Sequence, residues 1–122
     1  MLTDFTQLEA WKKAMDLAVA IHAATKQFPS EEKFGIISQM RRASLSVAAN
    51  IAEGFGRHTA ADKKHKYIQA RGELIELMTF LHYCKKVQYL SSEEDFLAFL
   101  GKCTVVHKLI NGLITSMKQL QQ

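Results

Sequence analysis

Proline is nearly missing from this sequence. Pro29 is the only one in 122 residues, so little interrupts a helix on either side of it. Strand signals are missing as well: no segment of strand length alternates apolar and polar residues with period two. Cysteine is scarce. Cys84 and Cys103 both fall at apolar positions of a helical repeat. That excludes a disulfide framework and fits reduced core residues of a cytoplasmic protein. No continuous apolar run approaches the ~20 residues that span a bilayer, and no basic N-terminal segment leads into an apolar one. Neither a membrane partner nor a secretory signal is therefore expected. Lys and Arg outnumber Asp and Glu by 16 to 12, an excess that permits a polyanion partner without requiring one.

Catalytic and ligand motifs are also lacking. No glutamate is followed three residues later by a histidine, the pattern of di-iron bundles. His-Glu-x-x-His, Cys-x-x-Cys and the Gly-x-x-x-x-Gly-Lys phosphate loop do not occur. Gly54-Phe55-Gly56 alone is too short to count as a nucleotide motif. His22, His82 and His107 sit in or beside apolar helical stripes, where histidines pack far more often than they ligate. Met40, Met78 and Met117 read as core residues before they read as a cofactor box. Lys85 and Lys86 neighbour Cys84, but its place in an apolar stripe argues for burial rather than nucleophilicity. These absences point to no metal, no cofactor and no enzyme.

What remains is helical periodicity. A first helix from about Leu8 to Lys26 has Trp11, Ala14, Ala18, Ile21 and Thr25 inward, with Leu8, Met15 and Leu17 flanking. Phe28-Pro29-Ser30 ends it, with Ser30 as the expected N-cap of the next element. A second helix spans about Ile36 to Glu53, with Ile36, Met40, Ala43, Val47 and Ile51 on one face. Thr59 with Asp62 opens a third that runs to about Tyr89, with Tyr67, Ala70, Leu74, Leu77, Leu81 and Cys84 as its seam. Ser91 or Ser92 opens the fourth, with Phe96, Phe99, Cys103, Val106, Ile110, Leu113, Met117 and Leu120 as the seam. Short links between long helices make sequence neighbours antiparallel. The expected fold is all-α, an antiparallel up-down-up-down four-helix bundle forming a single domain over residues 1–122.

Two constellations stand above this background. Gln39, Arg42, Ser46, Asn50 and Glu53 form a polar stripe between small neighbours on the second helix, ahead of Gly54, which is placed for a left-handed helix end. A solvent face would carry Lys–Glu pairs instead. If buried, Arg42 needs a partner such as Glu73 or Glu76, and Glu53 one such as Arg57 or Arg71. The stripe fits either a subunit contact or an intrachain network. Leu45, Ala48 and Ala52 form a second apolar group on this helix, which favours a homo-oligomer. Gly72, off the seam of the third helix, marks a place for close packing. The other constellation is basic: Arg57, His58, Lys63, Lys64, His65 and Lys66, with Asp62 as its one acid and Phe55 and Tyr67 nearby. Cations at a helix start suit phosphate, so Arg57, Lys63, Lys64 and Lys66 are candidate contacts to RNA or DNA; a solvated surface is the plainer reading.

Phe28-Pro29, Gln39-x-x-Arg42-Ala43, Ser46, Asn50-Ile51-Ala52-Glu53-Gly54 and Gly56-Arg57 together resemble a family signature. Ala70, Gly72 and Glu76-Leu77 continue it, and the likeness spans Leu8 to about Leu113. The family is that of the four-helix bundle proteins whose first members are encoded in intervening sequences of bacterial 23S ribosomal RNA genes. It is similar to the accessory variability protein of diversity-generating retroelements. That resemblance implies a pentameric ring, a non-enzymatic binding role, nucleic acid as a partner and, by analogy, a reverse transcriptase. Glu73 departs from the pattern, because many members have a small serine there. The change argues against a close subunit approach at that point and offers Arg42 or Arg71 a partner. The function expected is a nucleic-acid-binding accessory; a structural or protein-interaction module is the alternative.

Overall fold

The computed structural model describes residues 2–121. Four helices follow one another: α1 Glu9–Thr25, α2 Ile36–Phe55, α3 Ala60–Lys86 and α4 Glu93–Leu120. Short 3-10 turns at Phe5–Gln7 and Ser30–Glu32 precede α1 and α2, and no strand occurs among the described residues. The sequence places two caps correctly. Thr59 Oγ1 accepts the Asp62 N–H at 3.1 Å, and Ser92 Oγ accepts the Asp95 N–H at 3.0 Å, each satisfying a helix donor that lacks an intrahelical partner. Ser30 caps nothing. It opens a 3-10 turn after Pro29, and α2 starts only after Gly35, with no side-chain cap. At the end of α3, Gln88 takes a left-handed φ of 67°. This turns the chain so that the Tyr89 and Leu90 N–H groups both reach the Cys84 carbonyl.

Cross-helix contacts fix the direction of two of the sequential pairs. Along α2 and α3, Met40 meets Cys84, Arg42 meets Glu73 and Glu76, and Glu53 meets Lys66. Numbers rise on one helix as they fall on the other, so the pair is antiparallel. Arg71 with Asn111 and Lys85 with Glu93 give the same result for α3 and α4. α1 packs on α2 and α4, so the four helices close a cycle around one core.

That core follows the expected seams with shifts that have physical causes. On α1, Leu17 is fully buried and Trp11 only half-buried, its ring edge-on to Phe5 at 5.4 Å. On α2, Ile37 goes inside in place of Ile36. On α4 the stripe begins at Phe96, Cys103, Val106 and Ile110 but continues through Ile114 rather than Leu113, and Leu120 is exposed. A seven-residue repeat drifts about 20° per heptad on a helix with 3.6 residues per turn, so the buried line moves on by one position.

Three expectations for glycine and alanine positions are corrected. Gly54 is not a left-handed end: α2 runs on through Phe55, no described glycine has positive φ, and Gly54 is buried. Among the described residues nothing packs within 4 Å of where a Gly72 Cβ would lie. Ala48 is 1% exposed within this one chain. A helix in a four-helix bundle meets two neighbours, and Ala48 is taken up by the core of its own bundle. Ala52 is half-buried, and only Leu45 stays exposed. An Ala48 substitution therefore tests the fold rather than an assembly.

α4 has an unusual balance. No uninterrupted apolar run is present, yet its 28 residues include an 18-residue window of mean hydropathy 1.3, long and apolar enough by length and composition to cross a membrane. Only 22% of that window is buried in the bundle, and Lys102, His107 and Lys108 interrupt it.

Leu77 and Ile110 are fully buried in the common core. Leu77→Ala and Ile110→Ala should each destabilise the fold by about 2–5 kcal/mol through lost transfer energy and a residual cavity. Urea titration followed by circular dichroism measures this, and a loss near zero for both would contradict the core assignment.

Candidate functional site

The polar stripe lies along the α2–α3 contact. Arg42 is the centre of its upper part. Its guanidinium donates to Glu73 at 3.2 Å, forms an ion pair with Glu76, and reaches Gln39 Oε1 at 3.4 Å. These are the acids the sequence nominated. The side chain stays 45% exposed, so the pairs are surface pairs, worth little individually. Asn50 donates to the Ser46 carbonyl at 2.9 Å within α2. Glu53 pairs with Lys66 at 3.1 Å, not with Arg57 or Arg71. Arg71 instead donates to Asn111 on α4 at 2.9 Å. The reason is geometric: Arg57 lies beyond the helix end, while Lys66, beside Tyr67, sits at the point where Gly54 meets α3. Every charged member of the stripe thus has a partner within the chain.

The basic patch sits at the α2–α3 link and the start of α3, and two of its lysines have local duties. Lys63 Nζ donates to the Phe55 carbonyl at 2.6 Å and lies 5.4 Å from the Phe55 ring centre. It neutralises an orphan carbonyl at the negative end of α2. Lys66 holds Glu53. That leaves Arg57 and Lys64 without an ion-pair partner among the described residues. His58 and His65 stand beside them, and Arg57, Asp62, His65 and Lys66 line a small open cleft. Tyr67 is buried against Gly54, which settles it as a core residue rather than a stacking platform.

Against known proteins, the sequence profile of the 23S rRNA-intervening sequence protein family matches residues 6–112. The chain belongs to that family. A crystal structure of a protein of unknown function from the S23 ribosomal protein family of Bacteroides thetaiotaomicron superposes with a TM-score of 0.80 at 26% identity, covering 87% of this chain and 95% of that one. Among curated proteins none matches. No enzyme family is indicated by either match.

The residues that carry the family likeness are thus placed chiefly at the α2–α3 contact. Sequence reasoning missed the other features of this member, its apolar grooves. One lies between α1 and α2, lined by Met15, Ala18, Val19, His22, Arg41 and Leu45. A second lies between α3 and α4, lined by Ile75, Met78, Thr79, His82, Thr104 and His107. A third, of about 310 Å³, separates α1 from α4. The signal was there in part: Val19, Ile75 and Val105 fall outside every seam. Of the histidines, His82 packs edge-on to Phe96 at 5.1 Å and His107 contacts Asn111. No group of three or more metal-binding side chains occurs among the described residues.

Both thiols are buried and unpaired. Burial pushes Cys103 up to about 12. Burial, and then the charge of Glu32, pushes Cys84 up to about 11. Raised values keep both protonated at neutral pH. As pH rises through about 9, the unfolded chain sheds thiol protons that the folded chain keeps, so stability falls in that window. Iodoacetamide at pH 8 should leave both cysteines unmodified in the folded protein and label both in guanidinium, as read by mass spectrometry. Rapid labelling of either in the folded state would contradict this burial.

Proposed function

We propose that this chain is a non-enzymatic binding protein that assembles into a homo-oligomeric ring and presents a repeated cationic edge to RNA or DNA in the cytoplasm. The observation that carries the reading is the end of the bundle at the α2–α3 link. There Arg57, His58 and His65 are exposed and Lys64 is half-buried, none with an ion-pair partner among the described residues, beside the free N–H groups of a helix start. Such a site suits phosphate. One copy is a weak site; copies joined in a ring raise each other's effective concentration.

Two faces support the assembly. Val19 and Leu45 stand 65% and 55% exposed on the α1/α2 side. Ile75, Thr79 and Thr104 stand exposed on the α3/α4 side, where Gly72 leaves open space. These sides are opposite in a bundle whose neighbours are α1–α2–α3–α4. Different faces on opposite sides pair head to tail, and a head-to-tail contact closes into a ring when its rotation permits. The likeness to the retroelement accessory protein favours five copies and a reverse transcriptase as a protein partner. A second reading, an interaction module without a nucleic-acid role, is favoured by the local duties of Lys63 and Lys66.

Light scattering at micromolar concentration should give a multiple of the chain mass. Fluorescence anisotropy with labelled RNA and DNA should show binding that weakens with salt by about 0.9 log units per log of salt for each duplex phosphate neutralised. Arg57→Gln with Lys64→Gln should flatten that slope and weaken binding about equally across sequences, because phosphate contacts carry no base identity. A monomer mass removes the ring. Absence of binding to either nucleic acid at low salt removes the polyanion role and leaves the interaction module.

A further inference from the structure

The groove between α1 and α4 has no role in the ring just described. α1 and α4 make the thinnest of the four sequential or closing contacts in the bundle. Leu17 forms the floor of the groove, with Gly101 and Val105 on the α4 side and Lys13, Asp16 and Lys102 on its lips. Leu97 extends the α4 side by one turn, at positions 97, 101 and 105. Ala20 and Ala24 extend the α1 side at helical spacing from Leu17. Leu97 is 56% exposed and Val105 45%. Among the described residues nothing lies within 4 Å of where a Gly101 Cβ would be, so no contact among them accounts for a helix-interior glycine that costs about 0.5–1 kcal/mol relative to alanine. This groove therefore holds part of the exposed apolar surface of α4.

Charge narrows what can cover it. After Asp95, α4 carries no acid: its charged residues are Lys102, Lys108 and Lys118. Lys13 adds a cation from α1, and neither Lys13 nor Lys102 has an ion-pair partner among the described residues. Asp16 is the single acid on the lips. The shape is a concave channel along two helices, with an apolar stretch from Leu97 to Val105 of about 12 Å, a little over two turns of a docked helix.

We propose that the α1/α4 groove is a docking site for an amphipathic helical segment of a partner protein, apolar on the face it buries and acidic on its flanks. The incoming leucine-type side chains pack on Leu97 and Val105 above Gly101, and the acidic flanks face Lys13 and Lys102. This is helix-in-groove recognition, with anchors at i, i+3 or i+4, and i+7.

The test uses the full-length protein and a fluorescein-labelled peptide of about 18 residues, leucine on one helical face and glutamate on the other. A counterpart with lysine in place of glutamate and phosphatidylglycerol vesicles are the competing probes. The glutamate peptide should bind at least about tenfold more tightly than the lysine peptide. Gly101→Leu fills the channel from an open position, should keep the helix content, and should weaken the glutamate peptide by about tenfold or more. Lys13→Glu with Lys102→Glu should reverse the preference between the peptides, which keeps the test decisive if Gly101→Leu perturbs the fold. Absence of binding by the glutamate peptide, or binding indifferent to both variants, overturns the proposal. Binding of vesicles but neither peptide assigns the groove to a lipid surface instead. Loss of the oligomer in Gly101→Leu assigns it to a second copy.

Discussion

The bundle depends on one place where a side chain is missing. At Gly54 an added Cβ would lie 2.5 Å from Cε1 and 2.8 Å from Cδ1 of Tyr67. Only a glycine lets the buried ring of Tyr67 rest directly on the α2 backbone. That contact sets how far α3 slides along α2. With it in place, Lys63 falls under the Phe55 carbonyl, Lys66 beside Glu53, and Glu73 and Glu76 beside Arg42. These polar contacts are individually weak or exposed. Their value is in register: each is reachable at one sliding position of α3, and the Gly54–Tyr67 contact selects that position.

This changes how the family signature is understood. Asn50, Glu53 and Gly54 resemble a functional motif in sequence, because polar and small residues at fixed spacing on one helix invite a binding interpretation. In three dimensions Glu53 and Gly54 serve the α2–α3 contact, and Asn50 bonds back to the Ser46 carbonyl within α2. The chemistry left for a partner lies elsewhere: on the cationic end beyond α2, on the two opposed apolar faces, and in the α1/α4 groove.

The helices, their order and two caps were legible because periodicity and capping are local. Thr59 and Ser92 announce helix starts within four residues of sequence. The Arg42 partners were legible because only Glu73 and Glu76 stand at the facing level of α3. The Glu53 partner was not, since choosing Lys66 over Arg57 or Arg71 requires the register that Gly54 sets. Gly54 itself was misplaced because a glycine near a helix end looks the same in sequence whether it turns the chain or admits a ring. The surplus apolar face of α2 was overestimated for a related reason: periodicity locates one stripe, while a bundle helix buries against two neighbours, and Ala48 went into the core of its own bundle. The α1/α4 groove escaped because it depends on how thinly α1 and α4 pack, a property of two helices distant in sequence.

The most direct measurement compares Gly54→Ala with Gly101→Ala by urea titration. Both replace a helical glycine with the best helix former, so helix propensity alone favours each variant by about 0.5–1 kcal/mol. Gly101→Ala meets open space and should be stabilising by about that amount. Gly54→Ala forces a methyl group into the Tyr67 ring, an overpacking cost of about 1–3 kcal/mol that outweighs the propensity gain, and should be destabilising by about 1–2 kcal/mol net. Opposite signs for the two variants are the expected result. Equal stabilisation by both would mean that Tyr67 does not rest on Gly54 and that the α2–α3 register is set in some other way.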